Sequence, residues 1–117
     1  MNARQSVDMS MADWIKVCAL DDIVPGTGVC ALANGRQVAV FHLDDGSVHA
    51  LSNHDPFSKA NVLSRGIVGD LKGEAVVASP VYKQHFSLKS GQCLEDEAFK
   101  VDTYPVRVDN GIVYVQA

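Results

Sequence analysis

The sequence lacks any long apolar run: none of its hydrophobic stretches approaches the roughly 20 residues that a membrane-spanning helix needs. It also lacks a positively charged start followed by an apolar stretch, which is the pattern of an export signal. The first eleven residues, MNARQSVDMSM, are polar and have no periodicity. We therefore expect a cytoplasmic protein without a membrane segment, and a disordered N-terminal tail over residues 1–12.

Cysteines and basic residues are also few. The three cysteines form no Cys-x-x-Cys pair and their number is odd, so they suit no disulfide framework and we expect small buried side chains. Ten lysines and arginines stand against 14 aspartates and glutamates, which gives a formal net charge of −4. Because an acidic surface repels a phosphate backbone, this balance disfavours a nucleic-acid partner.

What the sequence has is a series of short apolar stretches separated by turn residues. A chain of 117 residues fits one domain, which we place at residues 13–117. The strand-like stretches lie at residues 14–19, 28–32, 37–43, 47–52, 74–79, 85–88, 104–108 and 112–115. Asn34-Gly35 and Asn110-Gly111 are strong signals for tight hairpin turns. Residues 55–69 form the longest irregular span, with room for one helical turn. This pattern predicts an all-β sandwich or barrel.

Motifs of common active sites are missing. The sequence contains no nucleophile elbow, no phosphate-binding glycine loop and no dinucleotide fingerprint. A mononuclear metal site could draw on His54, Asp55 and His85. However, neighbouring residues of an extended segment point in opposite directions, so the spacing of these three gives that site little support.

Two loops that contain proline carry more information. They read Ser-Asn-His-Asp-Pro-Phe at residues 52–57 and Ala-Ser-Pro-Val-Tyr-Lys-Gln-His-Phe at residues 78–86. They resemble the two cluster-binding loops of Rieske ferredoxin domains. In those domains a Cys-x-His pair in one loop and a Cys-x-x-His pair in the other hold a [2Fe–2S] cluster.

The four ligand positions of that family hold other residues here. The two cysteines fall on Asp55 and Ser79, and the two histidines fall on Phe57 and Tyr82. None of these four side chains offers a thiolate or an imidazole. The resemblance therefore implies a Rieske-like domain in which these positions are vestigial and no cluster or other metal is bound.

Several longer stretches narrow the resemblance. They are Asp21 to Leu32, Ser52 to Phe57, Val62 to Gly66, Ala78 to Pro80, Lys83 to Phe86 and Cys93 to Glu97. In this order they resemble the small subunit of the assimilatory, siroheme-type NAD(P)H nitrite reductases, and the likeness runs from Trp14 to about Val115. It implies a Rieske-like antiparallel β-sandwich with a small loop-bearing β-subdomain at about residues 53–91.

The resemblance also implies a function. In that family an enzyme of two kinds of subunit reduces nitrite to ammonia with NADH or NADPH, and the large subunit carries FAD, an iron–sulfur cluster and siroheme. We expect this chain to dock on a large subunit and to support it, with no catalytic residue and no cofactor of its own. Two alternatives stay open: a stand-alone Rieske-like interaction module, and a [2Fe–2S] electron-transfer ferredoxin.

The loops supply the candidate interface residues. Phe57 and Tyr82 are expected to fill the volume that a cluster would occupy and to stack on each other, or else to contact the partner. Lys83, Gln84 and Arg65 are candidates for polar contacts with the partner. Arg65 has an equal alternative, which is to tether the first loop through the carboxylate of Asp55.

Overall fold

A computed structural model describes residues 14–117, so the predicted tail at residues 1–12 lies outside the described residues. In this range short strands alternate with turns and two 3-10 helical turns, Leu20–Asp22 and Leu63–Arg65. The strands are β1 (Trp14–Ala19), β2 (Thr27–Ala33), β3 (Arg36–His42), β4 (Val48–Ser52), β5 (His54–Asp55), β6 (Ala60–Asn61), β7 (Ile67–Leu71), β8 (Glu74–Ala78), β9 (His85–Ser87), β10 (Thr103–Tyr104), β11 (Val106–Asp109) and β12 (Ile112–Gln116). No helix within residues 14–117 is long and apolar enough to cross a membrane.

The strands form three antiparallel sheets and one short ribbon. A four-stranded sheet has the order β10-β4-β3-β2, and a three-stranded sheet has the order β1-β12-β11. The third sheet, β7-β8-β9, lies in the loop-bearing part of the chain, and β5 pairs with β6 in the ribbon. The predicted all-β antiparallel class is confirmed, while the limits of the loop-bearing part at residues 53–91 stay a prediction.

The middle of β3, a central strand of the four-stranded sheet, is buried on both faces. Along β3, Val38 and Val40 enter one hydrophobic core, and Ala39 and Phe41 enter a second one. The first core packs against β12 through Val113 and Val115, and the second packs against the loop-bearing part through Leu63, Val77, Phe86 and Leu88. Because successive side chains of a strand point to opposite faces, β3 joins the two halves of the molecule.

Glycine and asparagine set the tight turns. Asn34 and Gly35, and likewise Asn110 and Gly111, have positive φ angles, as a two-residue hairpin turn of type I′ requires. The two predicted hairpins are therefore confirmed. A third turn of this kind, at Lys72 and Gly73, joins β7 to β8. Sequence reasoning missed β7 because its stretch, Ile-Val-Gly-Asp-Leu, does not alternate and stays largely exposed at a sheet edge.

The strand predicted at residues 104–108 is divided in two. Pro105 has no N–H group, so the hydrogen-bond ladder stops there. Before this residue β10 pairs with β4 in the four-stranded sheet, and after it β11 pairs with β12 in the three-stranded sheet. The proline thus marks the point at which the chain crosses from one sheet to the other.

The cysteines differ in burial. Cys93 lies in the core of the loop-bearing part, as expected, and Cys18 is half-buried. The expectation of a buried side chain was wrong for Cys30, which is exposed. It lies on β2, the edge strand of its sheet, where less of the neighbouring structure covers it.

Gly91 and Gly111 form a matched pair for a test of packing, since both have a φ of 78°. A Cβ at Gly91 would clash with the Val101 carbonyl oxygen, whereas at Gly111 it would meet nothing within 4 Å. We expect Gly111→Ala to lose about 1 kcal/mol of unfolding free energy from backbone strain. Gly91→Ala should lose about 3 kcal/mol, because overpacking adds to that strain. Urea unfolding measures both, and equal losses would contradict the predicted clash.

Candidate functional site

The two loops repeat one backbone turn. The first loop, residues 55–59, begins at Asp55, and the Lys59 N–H donates to the Asp55 carbonyl at 2.7 Å. The second loop, residues 79–83, begins at Ser79, and the Lys83 N–H donates to the Ser79 carbonyl at 3.1 Å. A proline follows the first residue of each loop, and the closing lysines share a left-handed backbone, with φ of 61° and 67°. The loops thus share the closing hydrogen bond, the position of the proline and the left-handed last residue.

A buried hydrogen bond joins the loops at their first residues. The Ser79 hydroxyl donates to Asp55 Oδ2 at 2.5 Å, and the exposed fractions of Asp55 and Ser79 are 0% and 1%. The same carboxylate accepts from the Phe57 N–H at 2.9 Å and from the Ser58 hydroxyl at 2.9 Å. Asp55 therefore organises its own loop and holds the second loop as well.

The hydrogen bonds keep the Asp55 carboxyl ionised. Burial raises the pKa of this group, but donation from Ser79, from the Phe57 N–H and from Ser58 outweighs burial and holds the pKa below its usual value. A buried carboxylate is costly unless donors surround it, and here a hydroxyl from the other loop supplies one of them. Contact between the loops thus helps to keep Asp55 negatively charged.

Phe57 and Tyr82 do not stack on each other, so that expectation was wrong. The Phe57 ring packs on Phe99 at a centroid distance of 4.3 Å and on Phe86 at 6.2 Å, whereas the Tyr82 side chain is 59% exposed. The reason is position in the repeated turn: Phe57 is its third residue and Tyr82 its fourth. Sequence spacing gave no indication that Phe99 would contact Phe57, because the two residues are far apart in the chain.

Arg65 does not tether the first loop. It is exposed, and within residues 14–117 it forms no ion pair with Asp55, whose hydrogen-bond partners are hydroxyls and a backbone N–H. That alternative was wrong. The Phe57 N–H and the Ser58 hydroxyl lie in the same loop as Asp55, and the Ser79 hydroxyl is buried beside it. These neutral donors satisfy the carboxylate without ordering a long arginine side chain.

Asn53, which sequence reasoning missed, fixes the start of the first loop. Its buried side chain accepts from the Ser64 N–H at 2.7 Å and donates to the Asn61 carbonyl at 3.0 Å and to Gln37 Oε1 at 3.2 Å. These bonds connect β3, β6 and the 3-10 turn Leu63–Arg65. A single asparagine in a polar stretch gives no sequence signal for such a role.

The outer surface of the loops combines apolar and basic side chains. Lys83 is exposed and its Nζ donates to the Pro80 carbonyl at 3.3 Å. Gln84 is half-buried, and its main-chain carbonyl accepts from the Ser79 N–H. Beside them Val81 is 45% exposed and Ile67 is 70% exposed. We call this surface the tip. It consists of Lys59, Arg65, Ile67, Val81, Tyr82 and Lys83.

The three residues considered for a mononuclear metal site have separate partners. His54 Nδ1 contacts Asn61 Oδ1 at 3.1 Å, Asp55 binds Ser79, and His85 Nδ1 lies 2.6 Å from Glu95 Oε2. No group of three metal-ligating side chains suited to an ion occurs within residues 14–117. The structure therefore does not bring this candidate site together.

The donor set of the loops does not fit a [2Fe–2S] cluster. Such a cluster needs thiolates on at least one iron, and the matching positions hold an aspartate and a serine. These two side chains are hydrogen-bonded directly to each other, which leaves no room for two irons between them. The aromatic ring of Phe57, in place of a histidine, is partly buried and packs against the hydrophobic core. No electron-transfer step can be derived through these residues.

A double-mutant cycle tests the bond between the loops. We expect Asp55→Ala to lose about 3 kcal/mol of unfolding free energy, because it leaves buried donors unpaired, and Ser79→Ala to lose about 1–2 kcal/mol. The double variant should lose about 1–2 kcal/mol less than the sum. Ser58→Ala is the control, because the Ser58 hydroxyl also donates to the Asp55 carboxylate but belongs to the same loop as Asp55. Additive losses for Asp55 and Ser79 would contradict the bond.

The pH dependence of stability tests the charge of Asp55. Because its pKa is lower in the folded chain than in the unfolded one, its contribution is complete above about pH 4 and is lost as the pH falls through the folded pKa. We expect wild-type unfolding free energy to fall as the pH drops from about 4 to about 2. The Asp55→Asn variant should fall less over this range, and parallel curves would contradict the assignment.

Comparison with known proteins identifies the family of this chain. Residues 13–116 match the family model of the Rieske-like [2Fe-2S] domain. The chain is 51% identical over 109 residues to the nitrite reductase (NADH) small subunit of Salmonella typhimurium, which covers 91% of this chain and 99% of that protein.

Two further relatives extend this result. The solution structure of the nitrite reductase [NAD(P)H] small subunit from Erwinia carotovora superposes with a TM-score of 0.77 at 51% identity, covering 91% of this chain and 82% of that one. A Klebsiella oxytoca protein named nitrite reductase [NAD(P)H] large subunit is 44% identical over 102 residues, which is 87% of this chain but 11% of that protein. The chain therefore belongs to the family of nitrite reductase small subunits, which is built on the Rieske-like domain.

Proposed function

We propose that this chain is an accessory subunit of an NAD(P)H nitrite reductase that docks on the large subunit and supports it, while electrons bypass it. The observation that carries this proposal is the hydrogen bond from Ser79 to Asp55. It joins the loops directly at the two positions where the family's cluster would need thiolates. The chain can thus keep the shape of a Rieske tip without iron.

A large catalytic chain as the partner is supported by the Klebsiella oxytoca relative. A domain like this one is there part of a longer protein named as a large subunit. A domain fused to a chain in one species and separate in another is expected to contact that chain in both. Nitrite reduction to ammonia, with FAD, an iron–sulfur cluster and siroheme on the large subunit, belongs to this proposal, as do a role in nitrate assimilation and a location in the cytoplasm.

Docking through the tip is supported by its side chains. Tyr82, Val81 and Ile67 expose apolar surface, and Arg65 and Lys83 add donors around it. Interfaces are enriched in tyrosine and arginine, and their centres are apolar. Gln84 lies at the border of this surface, while Phe57 supports it from inside by packing on Phe99.

Co-expression with the large subunit tests the proposal. We expect nitrite-dependent NAD(P)H oxidation to fall when this chain is omitted, and to return when the purified chain is added. Tyr82→Ala should weaken co-purification with the large subunit about tenfold, as expected for an exposed aromatic contact, while leaving the Tm of the free chain unchanged. Lys16→Ala, on β1 outside the tip, is the control. Equal activity without this chain would favour a stand-alone interaction module instead.

A further inference from the structure

Charge is distributed unevenly over the chain. Residues 53–68 and 79–84, which carry the loops, contain three basic residues and one acidic residue. When these are taken from the totals of 10 and 14, the remainder has seven basic and thirteen acidic residues. The tip is therefore a basic region on a protein that is otherwise acidic.

The three basic side chains of the tip are exposed to solvent. Lys59, Arg65 and Lys83 are exposed, and within residues 14–117 none of them forms an ion pair. The one carboxylate within residues 53–68 and 79–84, Asp55, is buried and is satisfied by Ser79, Ser58 and a backbone N–H, and Glu95, which approaches the second loop from outside these ranges, is paired with His85. The charge of Asp55 is consequently directed inward, whereas the three positive charges face solvent.

The repeated turn fixes where two of these charges lie. Lys59 and Lys83 close their loops at the same position, and both have a left-handed backbone. Arg65 ends the 3-10 turn that Asn53 holds against the first loop through the Ser64 N–H. The three basic residues thus stand on backbone that is hydrogen-bonded in place, in the same two loops and 3-10 turn as the exposed Tyr82 and Val81 or next to them in the chain.

We propose that the tip binds an acidic patch on the large subunit, with Lys59, Arg65 and Lys83 supplying long-range attraction and Tyr82 the close contact. This inference rests on the proposed function. An apolar centre with a charged border is common in protein interfaces, and complementary charge speeds association and selects the partner. The Klebsiella oxytoca relative, in which a similar domain is part of a protein named as a large subunit, favours that chain over nucleic acid or an anionic membrane as the acidic partner.

The left-handed backbone of Lys59 and Lys83 allows their charge to be removed without straining the loops. Asparagine adopts this backbone more readily than lysine does, so Lys59→Asn and Lys83→Asn remove charge without straining the loops. Lys72→Asn is the matched control, because Lys72 is also left-handed with a φ of 55° but lies in the β7–β8 turn. All three substitutions should leave the Tm of the free chain unchanged or raise it by about 2 °C.

Binding of the full chain to the purified large subunit is then measured at 50 mM and 300 mM salt. At low salt we expect the Lys59→Asn/Lys83→Asn variant to raise the Kd about tenfold, and at high salt the difference should shrink to about twofold. Lys72→Asn should bind as wild type does. Lys59→Arg/Lys83→Arg, which keeps the charge, should also bind normally.

The outcomes separate the two proposals. If the asparagine double variant binds as tightly as wild type at both salt concentrations, the basic tip is not the docking element, although the accessory role stands. If Lys72→Asn weakens binding equally, the effect comes from overall charge and the inference is again overturned. If wild-type chain does not bind the large subunit at all, the proposed function itself fails.

Discussion

The architecture of the loops depends on one buried interaction, the hydrogen bond from the Ser79 hydroxyl to the Asp55 carboxylate. It connects two loops that are 24 residues apart in the sequence, and it lies where a Rieske domain would bridge its loops with cysteine-bound iron. A carboxylate that must stay charged in a buried place needs donors from its surroundings. Each loop therefore keeps the other in shape, because Asp55 needs the hydroxyl and Ser79 needs the acceptor.

The rest of the fold carries this arrangement on a rigid base. β3 is buried on both faces and belongs to both hydrophobic cores, so the loop-bearing part cannot shift without disturbing the sandwich. Asn53 extends this connection from β3 to the start of the first loop. A tip held from below in this way can present Tyr82 and its basic neighbours at low entropic cost to a partner.

Local sequence signals predicted most of the fold. They did not predict the geometry of the site, because that geometry depends on contacts between residues far apart in the chain. Asn34 and Gly35 predict their hairpin because the turn requires positive φ angles, which these residue types adopt readily. Nothing local distinguishes β7, whose pairing with β8 depends on tertiary contact, and Pro105 divides a strand that looks continuous. Only the resemblance to Rieske domains draws attention to Asp55, Phe57, Ser79 and Tyr82. Their geometry, with Asp55 on Ser79 and Phe57 on Phe99, is set by contacts between residues far apart in the chain.

The most direct test of the central claim is the iron and acid-labile sulfide content of the full chain, expressed in iron-supplemented medium and purified without oxygen. We expect neither element, and no visible absorption band, because hydrogen bonding between Asp55 and Ser79 already joins the loops. A red-brown protein with two irons and two sulfides per chain would contradict it, since a [2Fe–2S] cluster would then occupy loops that offer it no thiolate.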